Sequence, residues 1–368
     1  MKILHVCWDL GQGGIQRYLI DLLAVQCRNH DCRLLVLSSP GPLSDQLSAL
    51  PVQVSYMGMK SGSDFKFFAP ILKFLRQGNH QIIHSHANNI IFNATLAFQR
   101  CPVAYTEHGG RFLKGEFASF LLYTFFAGNI DRFIAISDYM GRLMRQRSQR
   151  ICDRIDVVHN GIPLTAVLDC ELNGEIHDPG ENLPDAPLVG FLGRLVPEKG
   201  VDIFVDMAEL LHQTHPEVRF VVIGDGPMLE DLQAEVRNRG LEQVVIFLGY
   251  QPEARRILPR MKLLAMTSRL EAFGLVILEA FAASIPVVAL GEHSASSEII
   301  RDGIDGYVVE NSGLELLAKR VASLLDDSEK AESMGRLGNE RLNSEYSIEK
   351  NAEKLEKIYT ELLEPRLS

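Results

Sequence analysis

The feature that most constrains the fold of this 368-residue chain is a repeated alternation of short apolar runs with stretches of helical periodicity. The apolar runs cover residues 3–8, 33–38, 81–84, 103–106, 132–136 and 156–158, and helical spacing lies between them, as in Ile15, Leu19, Leu22 and Leu23. Strands this uniformly apolar need cover on both faces, which a parallel sheet flanked by helices supplies. A second series follows at 188–192, 220–223, 244–247, 263–266, 286–289 and 307–309. Between the series, residues 168–187 are polar, rich in Gly, Pro, Asp and Asn, and without periodicity. The sequence therefore predicts an α/β chain of two Rossmann-like domains, 1–167 and 188–345, with a linker at 168–187. A closing segment at 346–368 carries Leu355, Ile358 and Leu362 on one helical face.

Composition narrows the class. At 46% hydrophobic the chain can fill two cores. Its six cysteines form no CxxC pair, and the first ten residues are too short and too polar for a signal peptide or a span, so the expected compartment is the reducing cytoplasm. The apolar run at 117–127 is too short to cross a bilayer and is expected as a buried helix. Charge is uneven: residues 1–160 carry 17 basic and 11 acidic side chains, a balance of +6, and the remainder carries −16, for the overall −10. Arg142, Arg145, Arg147 and Arg150 are spaced to share a helix side. An anionic membrane surface and plain solvation both fit this basic half; no nucleic-acid-binding module accompanies it, and no nucleic acid is expected.

Two segments carry chemistry. Residues 268–283, SRLEAFGLVILEAFAA, place Glu271 in a loop and Glu279 on a helix, with Phe273, Gly274 and Leu275 as the expected first turn between them. The orphan amides of such a turn suit a phosphate, and the flanking carboxylates suit sugar and ribose hydroxyls. Apolar neighbours on both sides of Glu279 argue against an idle surface position, because a buried carboxylate without a partner is costly. The second segment, LVGFLGRLVPEKG at 188–200, is a strand followed by a loop bearing Arg194 and Lys199. Two cations at a strand's carboxyl end could stabilise a diphosphate as its charge grows. Each segment also has a plain structural explanation, a buried helix or a solvated basic turn.

Together with Gly224-Asp225-Gly226-Pro227, Gly13-Gly14, Thr106-Glu107-His108-Gly109, Ile136-Ser137 and Asn160-Gly161-Ile162, these segments resemble the retaining GT-B glycosyltransferases of the family-4, group 1 type, in the expected order along almost the whole chain. Pro163 stands where that family often has Asp. The resemblance implies two domains facing a cleft, with the last helix crossing back to the first domain. It implies transfer of a sugar from a nucleotide-diphosphate donor to a glycan or lipid-linked acceptor with retained anomeric configuration, in surface polysaccharide or lipopolysaccharide synthesis. It implies no cofactor and no metal; the donor would be a UDP- or GDP-sugar, with UDP mildly preferred. His108, Arg194, Lys199 and Glu271 become the expected catalytic residues, and Gly13, Gly14, Phe273, Gly274, Leu275 and Glu279 the donor-binding ones. A peripheral position at the inner face of the plasma membrane also follows from the resemblance.

Rival readings have weaker support. Gly11-x-Gly13 and Gly224-x-Gly226 begin a dinucleotide fingerprint, but Gln16 and Leu229 replace the third glycine. No Asp-x-Asp triplet occurs for a metal-dependent transferase of the other major fold. The His84-Ser85-His86 spacing could mimic a metal site. A nucleotide-sugar epimerase, a phosphorylase-like enzyme on the same scaffold, and a non-catalytic sugar-nucleotide-binding protein remain open at this level.

Overall fold

The structure, a computed structural model, describes residues 1–164, 180–181, 183–310 and 313–364. Most of the expected linker lies outside the described residues. Its described end is fastened by Arg260, which donates to the carbonyls of Gly180 and Leu183.

The chain divides into two compact units, residues 1–161 with 348 onward, and residues 162–347. In the amino unit the strands are β1 (Lys2–Cys7), β2 (Asp31–Val36), β3 (Gln53–Tyr56), β4 (Ile82–Ser85), β5 (Val103–Glu107), β6 (Arg132–Ala135) and β7 (Ile155–Val157). They form one parallel sheet in the order β3-β2-β1-β4-β5-β6-β7. The carboxyl unit has β8 (Leu188–Leu192), β9 (Arg219–Ile223), β10 (Val245–Gly249), β11 (Leu263–Met266), β12 (Val287–Leu290) and β13 (Gly306–Val309), again all parallel, in the order β10-β9-β8-β11-β12-β13. Each order reverses once, between β1 and β4 and between β8 and β11. A doubly wound sheet opens its ligand crevice at the carboxyl ends of strands flanking such a reversal.

The apolar runs became strands because helices cover both sheet faces. In the carboxyl unit Phe204, fully buried, packs its ring 5.6 Å from Phe191 and 5.9 Å from Phe220. Among the described residues, the one strand absent from the sequence reading is β3, whose QVSY sequence sits half-exposed at the sheet edge and needs no apolar run.

The closing helix, Ile348–Leu363, belongs to the amino unit. Its Asn351 accepts from Tyr18 Oη at 2.9 Å and donates to the His159 carbonyl at 2.7 Å, and Tyr359 reaches His84 at 2.5 Å.

Two expectations need correction. Residues 117–127 are not one buried helix. They form an α-helical turn (Phe117–Leu121) and then a wide π-helical turn (Leu122–Phe126), and Phe117, Phe120 and Phe125 are exposed while Leu122 and Tyr123 are buried. The π turn shifts the buried face partway along the segment, so no single helical face holds all the aromatics. The four arginines also do not share a helix side. The helix is Asp138–Arg147, and Arg150 lies in the following 3₁₀ segment, where it donates to the Thr124 carbonyl at 3.4 Å. Arg147 lies over the Phe112 ring and Arg145 reaches the Ile155 carbonyl at 3.4 Å. Among the described residues no helix is long and apolar enough to cross a membrane.

Candidate active site

In the carboxyl unit the site grows from the loops after β8 and β11, on either side of the sheet reversal. After β8, Pro197–Lys199 makes a single 3₁₀ turn that ends on Gly200. The β11 loop clamps this turn: Arg269 and Leu270 donate backbone N–H to the Glu198 carbonyl at 2.9 and 3.2 Å. The Arg269 guanidinium holds the Pro197 carbonyl at 3.0 Å and the Asp202 carboxylate at 2.5 and 2.7 Å. That ion pair pulls the Asp202 carboxyl below its usual range. The clamp brings Lys199 Nζ to 2.5 Å from Glu271 Oε2, and both line a small pocket with Phe191, Leu192, Met266, Ser268 and Val276.

The helix carrying Glu279 is Leu275–Ala282, so Phe273 and Gly274 precede it and do not form its first turn. Gly274 is the N-cap at φ +101°, a conformation that any Cβ would strain, and Phe273 is buried against Tyr346. The orphan N–H groups therefore begin at Leu275, beside the pocket residue Val276. Half-buried Glu279 meets its cation within the protein: Arg255 Nε donates to its Oε1 at 3.0 Å. Sequence reasoning missed Arg255, which lies buried in a short 3₁₀ turn at Ala254–Arg256. A buried carboxylate calls for a cation, yet no spacing says which of many arginines answers.

Arg194 is exposed on the β8 loop. The GDGP loop supports that loop from below. Gly224 has φ +143°, and a Cβ there would stand 1.9 Å from the Gly193 carbonyl oxygen. Its glycine serves loop-on-loop contact.

The amino unit contributes a separate set. Gly13 caps the helix Gly14–Gln26 without a side-chain bond, and Asp9 ties the loop by accepting from the Gly11 amide and from Gln16 at 3.0 and 2.7 Å. His108 follows β5 and is half-buried. Its neighbour Glu107, unassigned by the sequence reading, is buried and accepts from Tyr105, Tyr123 and the Gly109 amide at 3.0, 3.0 and 2.9 Å. Burial raises its carboxyl pKa. These bonds pin the turn that carries His108.

His84 and His86 meet His5, with ring nitrogens of all three within 4.8 Å of one another. Hydrogen bonds occupy them: His84 reaches Thr106 Oγ1 at 2.7 Å and the Tyr359 hydroxyl, and His86 lies between His5 and His108 at 3.2 and 3.0 Å.

Two family models match this chain almost end to end: Glycosyltransferase Family 4 over residues 12–166 and Glycosyl transferases group 1 over residues 174–341. The chain belongs to the GT-B glycosyltransferases of the family-4, group 1 type. Among solved structures, Anabaena HepE in complex with UDP-glucose superposes with a TM-score of 0.82 at 20% identity, covering 98% of this chain and 100% of HepE. The UDP-Gal:alpha-D-GlcNAc-diphosphoundecaprenol alpha-1,3-galactosyltransferase of Escherichia coli is 22% identical over 99% of this chain and 97% of its own length. A poly(ribitol-phosphate) alpha-N-acetylglucosaminyltransferase of Staphylococcus aureus is 29% identical over 49% of this chain but only 36% of its own length. The chain spans less than half the length of several curated relatives that it matches.

Proposed function

We propose that this glycosyltransferase moves a sugar from a nucleotide-diphosphate sugar, UDP-linked before GDP-linked, to a glycan or lipid-linked acceptor in surface polysaccharide or lipopolysaccharide synthesis. The observation that carries the reading is the Lys199–Glu271 pair, 2.5 Å apart at the β8/β11 reversal. A cation placed there can take the growing charge of a leaving diphosphate, and the carboxylate beside it holds that cation and accepts sugar hydroxyls. Arg194 adds a second cation from the same loop. The amides that open the Leu275–Ala282 helix favour the distal phosphate, and Glu279, braced by Arg255, offers carboxylate oxygen to ribose.

On this reading the bond between the anomeric carbon and the phosphate oxygen breaks as the acceptor hydroxyl forms the new bond on the same face. The departing phosphate takes the acceptor proton, the same-face attack retains the configuration, and on this reading neither metal nor cofactor takes part. Gly13 and Gly14 serve the phosphates, and His108 the donor sugar. The acceptor reading draws on the relative named for a diphosphoundecaprenol substrate. An acceptor of that class would bring the protein to the cytoplasmic membrane surface.

The test is a panel of UDP-, GDP- and ADP-sugars in a thermal-shift assay. A donor at 100 times its Kd should stabilise the fold by about 2.7 kcal/mol. NMR of the product formed with the best donor then reads the anomeric configuration. No stabilisation by any donor, or an inverted product, would count against the reading.

A further inference from the structure

Behind His108 the amino unit holds a line of hydrogen-bonded rings that neither the fold nor the diphosphate chemistry requires. His108 Nε2 lies 3.0 Å from His86 Nδ1, His86 Nε2 lies 3.2 Å from His5 Nδ1, and His5 Nε2 lies 2.9 Å from Gln26 Oε1. The His108 and His86 planes are stacked with centroids 5.3 Å apart, and His86 and His5 likewise at 5.5 Å. The Tyr18 ring closes edge-on against both His86 and His108, and its hydroxyl is anchored on Asn351. At the open end of the line, His108 Nδ1 is buried without a hydrogen-bond partner among the described residues.

A neutral imidazole donates from one nitrogen and accepts at the other, so a line of such rings has only two consistent settings. Burial holds all three rings neutral: it lowers the pKa of His5 and of His108 to about 4 and that of His86 well below its usual value. In this structure the Gln26 amide turns its carbonyl oxygen to the ring at 2.9 Å, and an oxygen can only accept, which puts the proton of His5 on Nε2. His5 Nδ1 must then accept from His86 Nε2–H, and His86 Nδ1 from His108 Nε2–H. The setting chosen at Gln26 thereby arrives at His108 with Nδ1 bare.

We propose that Gln26, His5 and His86 are positioning residues that lock His108 in its Nε2-protonated tautomer, presenting Nδ1 as a fixed hydrogen-bond acceptor for a hydroxyl of the donor sugar. The tautomer stands on the hydrogen bonds between buried neutral rings; its use on the donor sugar rests on the function proposed above. A fixed acceptor selects a donor with a hydroxyl at that position and disfavours one lacking it, because the buried nitrogen would stay unpaired.

The test is long-range proton–nitrogen NMR of the full chain with ¹⁵N-labelled histidine, assigned through single His→Asn variants. The expected spectrum shows His5, His86 and His108 each protonated at Nε2 and bare at Nδ1. In Gln26→Leu the His108 signals should move to a mixture of tautomers, three hydrogen bonds from the substitution. A His108 proton on Nδ1 in the wild type, or an unchanged tautomer in Gln26→Leu, would overturn the proposal. So would stoichiometric zinc uptake by the metal-free protein at His5, His84 and His86. Should Gln26→Leu fail to fold, the wild-type spectrum still decides. In kinetics, Gln26→Leu should lower kcat by ~10-fold or more while leaving affinity for free UDP unchanged, the scale of losing an outer-sphere orienting partner. A shifted tautomer with unchanged kcat would overturn the use of His108 on the donor sugar.

Discussion

At the scale of single residues, the site separates two cations that look equivalent in the sequence. Lys199 is held on Glu271 within a clamped loop, whereas Arg194 is exposed on the preceding turn. Lys199→Ala should therefore lower turnover by at least ~100-fold, the scale of removing one transition-state donor. Arg194→Ala should also lose turnover, and its unfolding midpoint should match the wild type because the side chain is exposed. Steady-state kinetics beside thermal melts read both, and wild-type turnover in both variants would remove the diphosphate assignment. The carboxylates and Lys199 were legible in the sequence, but Arg255 and the pairing were not: the pairs Lys199–Glu271 and Arg255–Glu279 join residues 72 and 24 positions apart. Only the closeness of the loops creates those pairs.

At the scale of elements, the segment over residues 117–126 departs furthest from its expected packing. Phe117 and Phe120 stack with centroids 6.2 Å apart in the open, Phe125 is 67% exposed, and Arg150 borders them through the Thr124 carbonyl. Exposed aromatics beside basic side chains suit the interface of an anionic bilayer. The protein should then sediment with anionic vesicles and ignore zwitterionic ones, more weakly at high salt, since each basic residue contributes about 1 kcal/mol near such a surface. Phe117→Ser with Phe125→Ser should release it without lowering its melting temperature. Equal binding to both vesicle types, or none to either, would favour an acceptor away from the membrane. The overall charge of −10 limits any such contact to the basic amino unit.

At the scale of the whole molecule, two separate cores make unfolding a sum of transitions, and acid should act on one of them first. Among the described residues the buried histidines lie in the amino unit. For His5 the folded pKa of about 4 is below the ~6.5 of an unfolded histidine, so the unfolded chain binds protons that the folded chain refuses. Its contribution is complete above about pH 6.5 and is lost as pH falls toward 4; the lowered His84, His86 and His108 act in the same direction. The amino unit should lose stability between pH 6.5 and 4 while the carboxyl unit changes less. Hydrogen exchange at pH 7 and pH 4.5 would localise the loss, and equal opening of both units would contradict it.

The sequence by itself determined the two parallel sheets, since uniformly apolar runs between helical stretches admit no other cover. It also determined the loops that carry Lys199, Glu271 and His108 and the helix that carries Glu279, because strand ends, their following glycines and helical spacing are marked locally. Tertiary structure alone decided the edge strand β3, which a half-exposed polar run does not announce. It decided the change from an α-helical to a π-helical turn across residues 117–126, along which three phenylalanines stand in the open. It brought His5, His86 and His108 into one line, because strands distant in sequence lie side by side in the sheet. Hydrogen bonds and ion pairs of this kind act over about 3 Å in space and leave no periodicity in sequence, so only the folded chain shows them.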